Sequence, residues 1–110
     1  MEKRLYPRKR FDRAIKCITQ HIMFDCQGVN ISPGGCCLRS PVSIDVGEEL
    51  ALLIPIGNGE NNLLFALGKV IWAKEFEAKF NDLPFYAGIK FLATSSKNFP
   101  ELENLCQNPD

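Results

Sequence analysis

Two short stretches hold the residues best suited to chemistry in this 110-residue chain: Arg8-Lys9-Arg10-Phe11-Asp12-Arg13 and Asn30-Ile31-Ser32-Pro33-Gly34-Gly35. The first concentrates positive charge. Met1 to Arg13 carries six Lys/Arg against Glu2 and Asp12, whereas the remainder carries seven basic against eleven acidic residues. A formal net charge of zero therefore hides a basic arm on an acidic body. Guanidinium groups present forked donors that match phosphate oxygens, and they stack on flat rings. The second stretch is a turn of small polar residues. Its glycines allow positive φ and close approach to the backbone, and its amides and short side chains suit base or sugar edges. Together the two stretches favour capture of an anion that also has polar edges.

Catalysis finds less support. The chain has no Ser/His/Asp order, no H-E-x-x-H, and nothing like a Walker loop around Gly34-Gly35. Glu48-Glu49 and Glu75/Glu77 read as solvated strand ends, and the single histidine, His21, as a structural or surface residue. The five cysteines (Cys17, Cys26, Cys36, Cys37, Cys106) form no C-x-x-C. Adjacent Cys36 and Cys37 would point to opposite faces of a strand, poor geometry for one zinc ion. They read as small buried hydrophobes in a reducing compartment, with no metal and no cofactor. The expectation is a binding protein, not an enzyme.

The two stretches resemble the signature of the PilZ domain, the bacterial receptor module for cyclic di-GMP. That family carries R-x-x-x-R ahead of its first strand and [D/N]-x-S-x-x-G between its second and third. Asn30, Ser32 and Gly35 match the second motif fully. The first is matched as Lys9-x-x-x-Arg13, with lysine where the family usually has arginine, or as Arg4-x-x-x-Arg8 farther from the first strand. The Phe-Tyr-Ala-Gly-Ile-Lys-Phe segment from Phe85 and a closing helix extend the resemblance over nearly the whole chain.

The motif positions the resemblance implies, Lys9, Arg13, Asn30, Ser32 and Gly35, are joined by Arg8 and Arg10 on guanidinium chemistry to make the ligand set, with Trp72 as a weaker candidate for an apolar wall. It also implies a mobile arm that wraps over cyclic di-GMP, bound as an intercalated dimer. The signal would pass to an unidentified protein partner in motility, exopolysaccharide production or biofilm formation. Two rivals stand beside this reading. One is a ligand-independent PilZ-like adaptor for a pilus or flagellar protein. The other is a barrel for single-stranded nucleic acid, which the acidic body disfavours.

The elements that must position these residues are legible from alternation. Strands are expected over 14–23, Gly28–Ile31, Cys36–Ser40, Glu48–Ile56, Leu63–Lys74 and Phe85–Ala93, with a turn beginning at Asp25. Leu64, Ala66, Val70 and Trp72 share one parity, and Gly68 marks a bulge where a sheet closes on itself. Ser95, Ser96 or Asn98 can cap a last helix whose Phe99, Leu102 and Leu105 or Cys106 recur at helical spacing. The fold class is all-β: a six-stranded antiparallel barrel, a PilZ-like split barrel, with a C-terminal α-helix. Residues 1–13 form a flexible basic arm and 14–110 the single barrel domain. No apolar run approaches the ~20 residues that cross a bilayer. With no secretory signal at the start, a cytoplasmic location is expected.

Overall fold

A computed structural model describes residues 8–57, 62–76, 82–95 and 99–107. Among these, period-two burial builds seven strands: β1 (Lys9–Arg10), β2 (Ala14–Ile18), β3 (Met23–Ser32), β4 (Gly35–Ser40), β5 (Glu49–Pro55), β6 (Leu63–Glu75) and β7 (Phe85–Thr94). One helix, α1 (Phe99–Gln107), follows. In β5 the even positions Leu50, Leu52 and Ile54 are buried, as are Leu64, Ala66 and Val70 in β6. Each fully buried Leu or Ile contributes roughly 1.5–3 kcal/mol of transfer free energy. That inward gain outweighs leaving Leu63, Phe65 and Leu67 exposed on the outer face of β6.

All pairings are antiparallel, and the ring β3–β2–β5–β6–β7–β4 closes on itself through β3–β4 pairing. This is the expected six-stranded barrel, with β1 as one strand more. Lys9 pairs with Ile31 and Arg10 with Asn30, while β2 pairs with the earlier half of β3. The strand is interrupted between β1 and β2. There Phe11 N–H donates to Val29 O, and Gly28 N–H to Arg13 O. Phe11 is buried in the core. Gly28 is required here, because a Cβ would stand 2.7 Å from the Phe11 carbonyl oxygen.

The first hairpin turns earlier than alternation suggests. Thr19 Oγ1 accepts the N–H groups of His21 and Ile22 at 3.1 and 3.0 Å, a hydroxyl-made turn that ends β2 at Ile18. His21 is exposed in this turn. Asp25 is no turn residue. It lies inside β3 opposite Lys16, whose Nζ is 3.6 Å from its carboxylate.

Gly68 falls at a register shift against β7, as expected. A second shift lies between Val70 and Trp72. It reverses parity, so Val70 is buried while Trp72 emerges on the outer face. Turn chemistry at Asp45-Val46-Gly47 is as read: Gly47 takes φ +93° and Glu48 N–H donates to Asp45 O. Leu102 and Cys106 of α1 are buried against the barrel, with Phe99 and Leu105 partly so. Ser95 bonds β6 instead, its amide donating to Phe65 O and its Oγ accepting from Phe65 N–H. Ser96 and Asn98, Arg4 of the alternative motif register, loop residues 58–61 and connection residues 77–81 lie outside the described residues.

Candidate functional site

The Asn30–Gly35 stretch folds as the β3–β4 turn. Ser32 is buried, its Oγ accepting Gly34 N–H at 3.2 Å and donating to Gly35 O at 3.5 Å. Ser32 thus shapes the turn from within. Positive φ plays no part at Gly34 or Gly35. Gly35 serves close packing: a Cβ there would collide with the Ile89 carbonyl oxygen of β7. Phe91 N–H donates to Gly34 O at 2.9 Å, fastening the turn to the same strand.

Register then lays a row across the outer face. Arg10 pairs with Asn30, Asn30 with Cys37, Cys37 with Gly88, and Gly88 with Trp72. Neighbouring strands are about 4.8 Å apart, so four intervals carry the row across roughly 19 Å of curved sheet. Arg8 joins this row, its Nη1 donating to Asn30 Oδ1 at 3.3 Å. Gly88 makes room for the indole, since a Cβ would clash with Trp72 Nε1. Cations, an amide and an indole therefore share one surface. That arrangement can pair phosphates, read a base edge and stack a base.

The PilZ domain model matches residues 2–108. The chain belongs to the PilZ domain family. Among curated proteins no sequence matches this PilZ domain. Its fold is similar to three solved structures, each aligned over 96% of its length. The inhibitor of motility MotI/DgrA from Bacillus subtilis aligns with TM-score 0.78 at 16% identity, over 50% of its own chain. Borreliella burgdorferi PlzA, in complex with c-di-GMP, gives 0.69 and 14%, over 41% of that chain. The PilZ domain of YcgR from Escherichia coli, with c-di-GMP, gives 0.66 and 16%, over 89%. This PilZ domain thus spans about half the length of MotI/DgrA and less of PlzA.

Two motif residues of this PilZ domain stand apart from the row. Lys9 pairs with buried Ile31, the parity opposite to Arg10, and acts electrostatically on Cys106 of α1. Arg13 Nη1 donates to the carbonyls of Gly57 at 2.8 Å and Pro55 at 3.3 Å, at the end of β5. Arg8, Arg10, Asn30 and Trp72 are brought to one surface, and Ser32 and Gly35 shape the turn beside it. Alternation alone missed Gly88 and Cys37, because strand order, not spacing, places them between Asn30 and Trp72. The available signal was the Gly inside the alternating Phe85–Ala93 segment.

All five cysteines are buried and free. Cys17 Sγ donates to Cys26 Sγ at 3.3 Å. This bond and burial push the Cys17 thiol up, while accepting it pulls Cys26 down. Burial pushes Cys36 up as well, and Cys106 up to about 11. Cys17, Cys26, Cys36 and Cys106 behave as core side chains, while Cys37 is covered on the outward-facing row. Among the described residues no three His, Cys, Asp or Glu are grouped to hold a metal ion. No helix there is long and apolar enough to cross a membrane.

Proposed function

We propose that this PilZ domain is a cyclic di-GMP receptor that binds ligand on the outer face spanning β1, β3, β4, β7 and β6. The observation carrying this reading is the Arg10–Asn30–Cys37–Gly88–Trp72 row with Arg8 bonded to Asn30. The c-di-GMP complexes of PlzA and the YcgR PilZ domain support it at the level of the fold. Arg8 and Arg10 pair with phosphate oxygens or guanine O6/N7. Asn30 offers donor and acceptor to a guanine edge, and Trp72 stacks a base. Ser32 and Gly35 hold the turn that presents Asn30. Lys9 supplies point charge from the other side of β1.

Closure of the arm completes the mechanism. Arg13 exchanges the Pro55 and Gly57 carbonyls for a phosphate, and the N-terminal arm folds over the ligand while β1 stays paired with β3. The ligand is taken as an intercalated dimer in the cytoplasm, without catalysis, and a protein partner reads the remodelled face. Calorimetry with cyclic di-GMP on wild type, Arg10→Ala and Asn30→Ala tests the assignment. Each variant should weaken binding by about tenfold or more, the worth of one good bidentate contact. Unchanged binding in both would remove the site. No binding by wild type together with capture of a pilus or flagellar protein would favour a ligand-independent adaptor.

A further inference from the structure

We propose that the outer face of β2, β5 and the first half of β6 is a dimer interface, covered by a second copy of this PilZ domain. In the ring of six strands β5 stands opposite β4, so this face looks away from the Arg10–Asn30–Cys37–Gly88–Trp72 row. The inference is therefore independent of the receptor reading.

Register builds the face. Met23 pairs with Ile18, Ile18 with Ala51, Ala51 with Leu67 and Leu67 with Ala93, an apolar row across β3, β2, β5, β6 and β7. Two residues along the strands, Leu53 pairs with Phe65 and widens it. Core residues Cys17, Leu50, Leu52, Leu64 and Ala66 alternate with these positions, which therefore point outward. Met23 is 63% exposed and Phe65 52%. Together with Leu63, Leu67 and Leu92 they present on the order of 500 Å² of apolar surface, near the top of what a monomer leaves bare. With its charged flanks the face matches the roughly 800 Å² per partner of a stable interface.

Charge identifies the occupant. Lys16 and Glu49 lie two residues before Ile18 and Ala51 on antiparallel neighbours, so they fall on opposite sides of the row. Lys16 holds Asp25 at 3.6 Å on one flank, and Glu49 pairs with Lys69 on the other. Each flank thus carries both signs, which repels half of any single-sign surface such as nucleic acid or an anionic membrane. It suits its own copy. A two-fold axis along the row lays each flank on the opposite flank of the partner. Lys16 then meets the partner's Glu49 one strand spacing to the side, about 4.8 Å. Lys69 comes over the partner's Phe65, where a cation and a ring face attract.

Sedimentation velocity of the full chain from about 1 to 200 μM tests this, with thermal melts to confirm folding. Wild type should dimerise reversibly in that range, and Phe65→Glu should stay monomeric throughout. Lys16→Glu and Glu49→Lys should each weaken the dimer by about tenfold, because like charges then meet across the axis. An equimolar mixture of those two variants should associate within about threefold of wild type, since both opposed pairs regain opposite signs. A folded wild type still monomeric at about 200 μM would overturn the proposal, as would a dimer indifferent to Phe65→Glu. A mixture that associates no better than either variant alone would overturn the two-fold pairing. Monomeric wild type that binds phosphatidylglycerol vesicles would give the face to a membrane instead.

Discussion

Arg8 Nη1 donates to Asn30 Oδ1 at 3.3 Å, so the basic arm and the glycine hairpin are joined side chain to side chain, 22 positions apart in sequence. Together with the Lys9–Ile31 and Arg10–Asn30 pairing, this contact holds the arm along β3. A part-buried hydrogen bond of this kind contributes about 0.5–1.5 kcal/mol. Asn30→Ala should speed amide exchange at Lys9 and Phe11, the leader positions whose amides face β3, by up to roughly tenfold, read by hydrogen exchange without ligand. Unchanged protection there would show that backbone pairing alone secures β1.

Arg13 makes its bonds on exposed ground, to two backbone carbonyls of the β5 end. Arg13→Ala should therefore cost less than about 1 kcal/mol in denaturant unfolding. Its loss in cyclic di-GMP affinity should be larger, about tenfold, because the exchange onto phosphate disappears. Equal, small effects in both measurements would confine Arg13 to the barrel rim.

Lys9 has the opposite parity to Arg8 and Arg10 and lies on the Cys106 side of β1. Lys9→Arg should accordingly leave cyclic di-GMP affinity within about threefold, since the forked donors on the ligand face are already in place. A large gain would mean that position 9 turns outward when ligand arrives.

The barrel's architecture was legible because alternation is long and clean in β5, β6 and β7, and because Gly47, Gly68 and the Asn30–Gly35 turn carry recognisable turn chemistry. The first hairpin was harder. Thr19 makes its turn with a hydroxyl instead of Gly or Pro, and Asp25 mimics a turn residue while pairing with Lys16 across the strands. Parity was the other difficulty. A one-residue irregularity after Val70 sends Trp72 outward, and no local pattern announces a slip that depends on the facing strand. The motif residues were legible individually, but their separation into an outward pair, Arg8 and Arg10, an inward Lys9 and a rim-bound Arg13 depends on strand pairing.

Gly35→Ala should be costly. Its new methyl would meet backbone, the Ile89 carbonyl, which cannot step aside as a flexible side chain would. A loss of about 2 kcal/mol or more in denaturant unfolding is expected, with the β4–β7 seam disturbed. A near-neutral result would show that the barrel seam yields more readily than its packing implies.

Stability should fall on the alkaline side. Burial raises the Cys106 thiol to about 11 from a reference of 9.0, so the folded chain keeps this proton longer than the unfolded chain. The associated stability is complete below about pH 9 and drains away as pH rises through about 11. Urea denaturation across that window should show the decline, and Cys106→Ala should make it shallower, with the raised Cys17 and Cys36 thiols keeping the remainder. An equal slope in the variant would assign the decline to other groups.

The hairpin bearing Asn30 and Ser32 is clamped to β7 by the Gly35–Ile89 contact and the Phe91-to-Gly34 hydrogen bond. One side of the recognition surface is thereby set when the barrel folds, like a fixed jaw. Whatever fitting a guest demands falls to leader side chains such as Arg8 and Arg13, whose hydrogen bonds can be exchanged while β1 and Phe11 stay anchored. Ligand selectivity can then be tuned by altering the leader alone, while the barrel stays as it is.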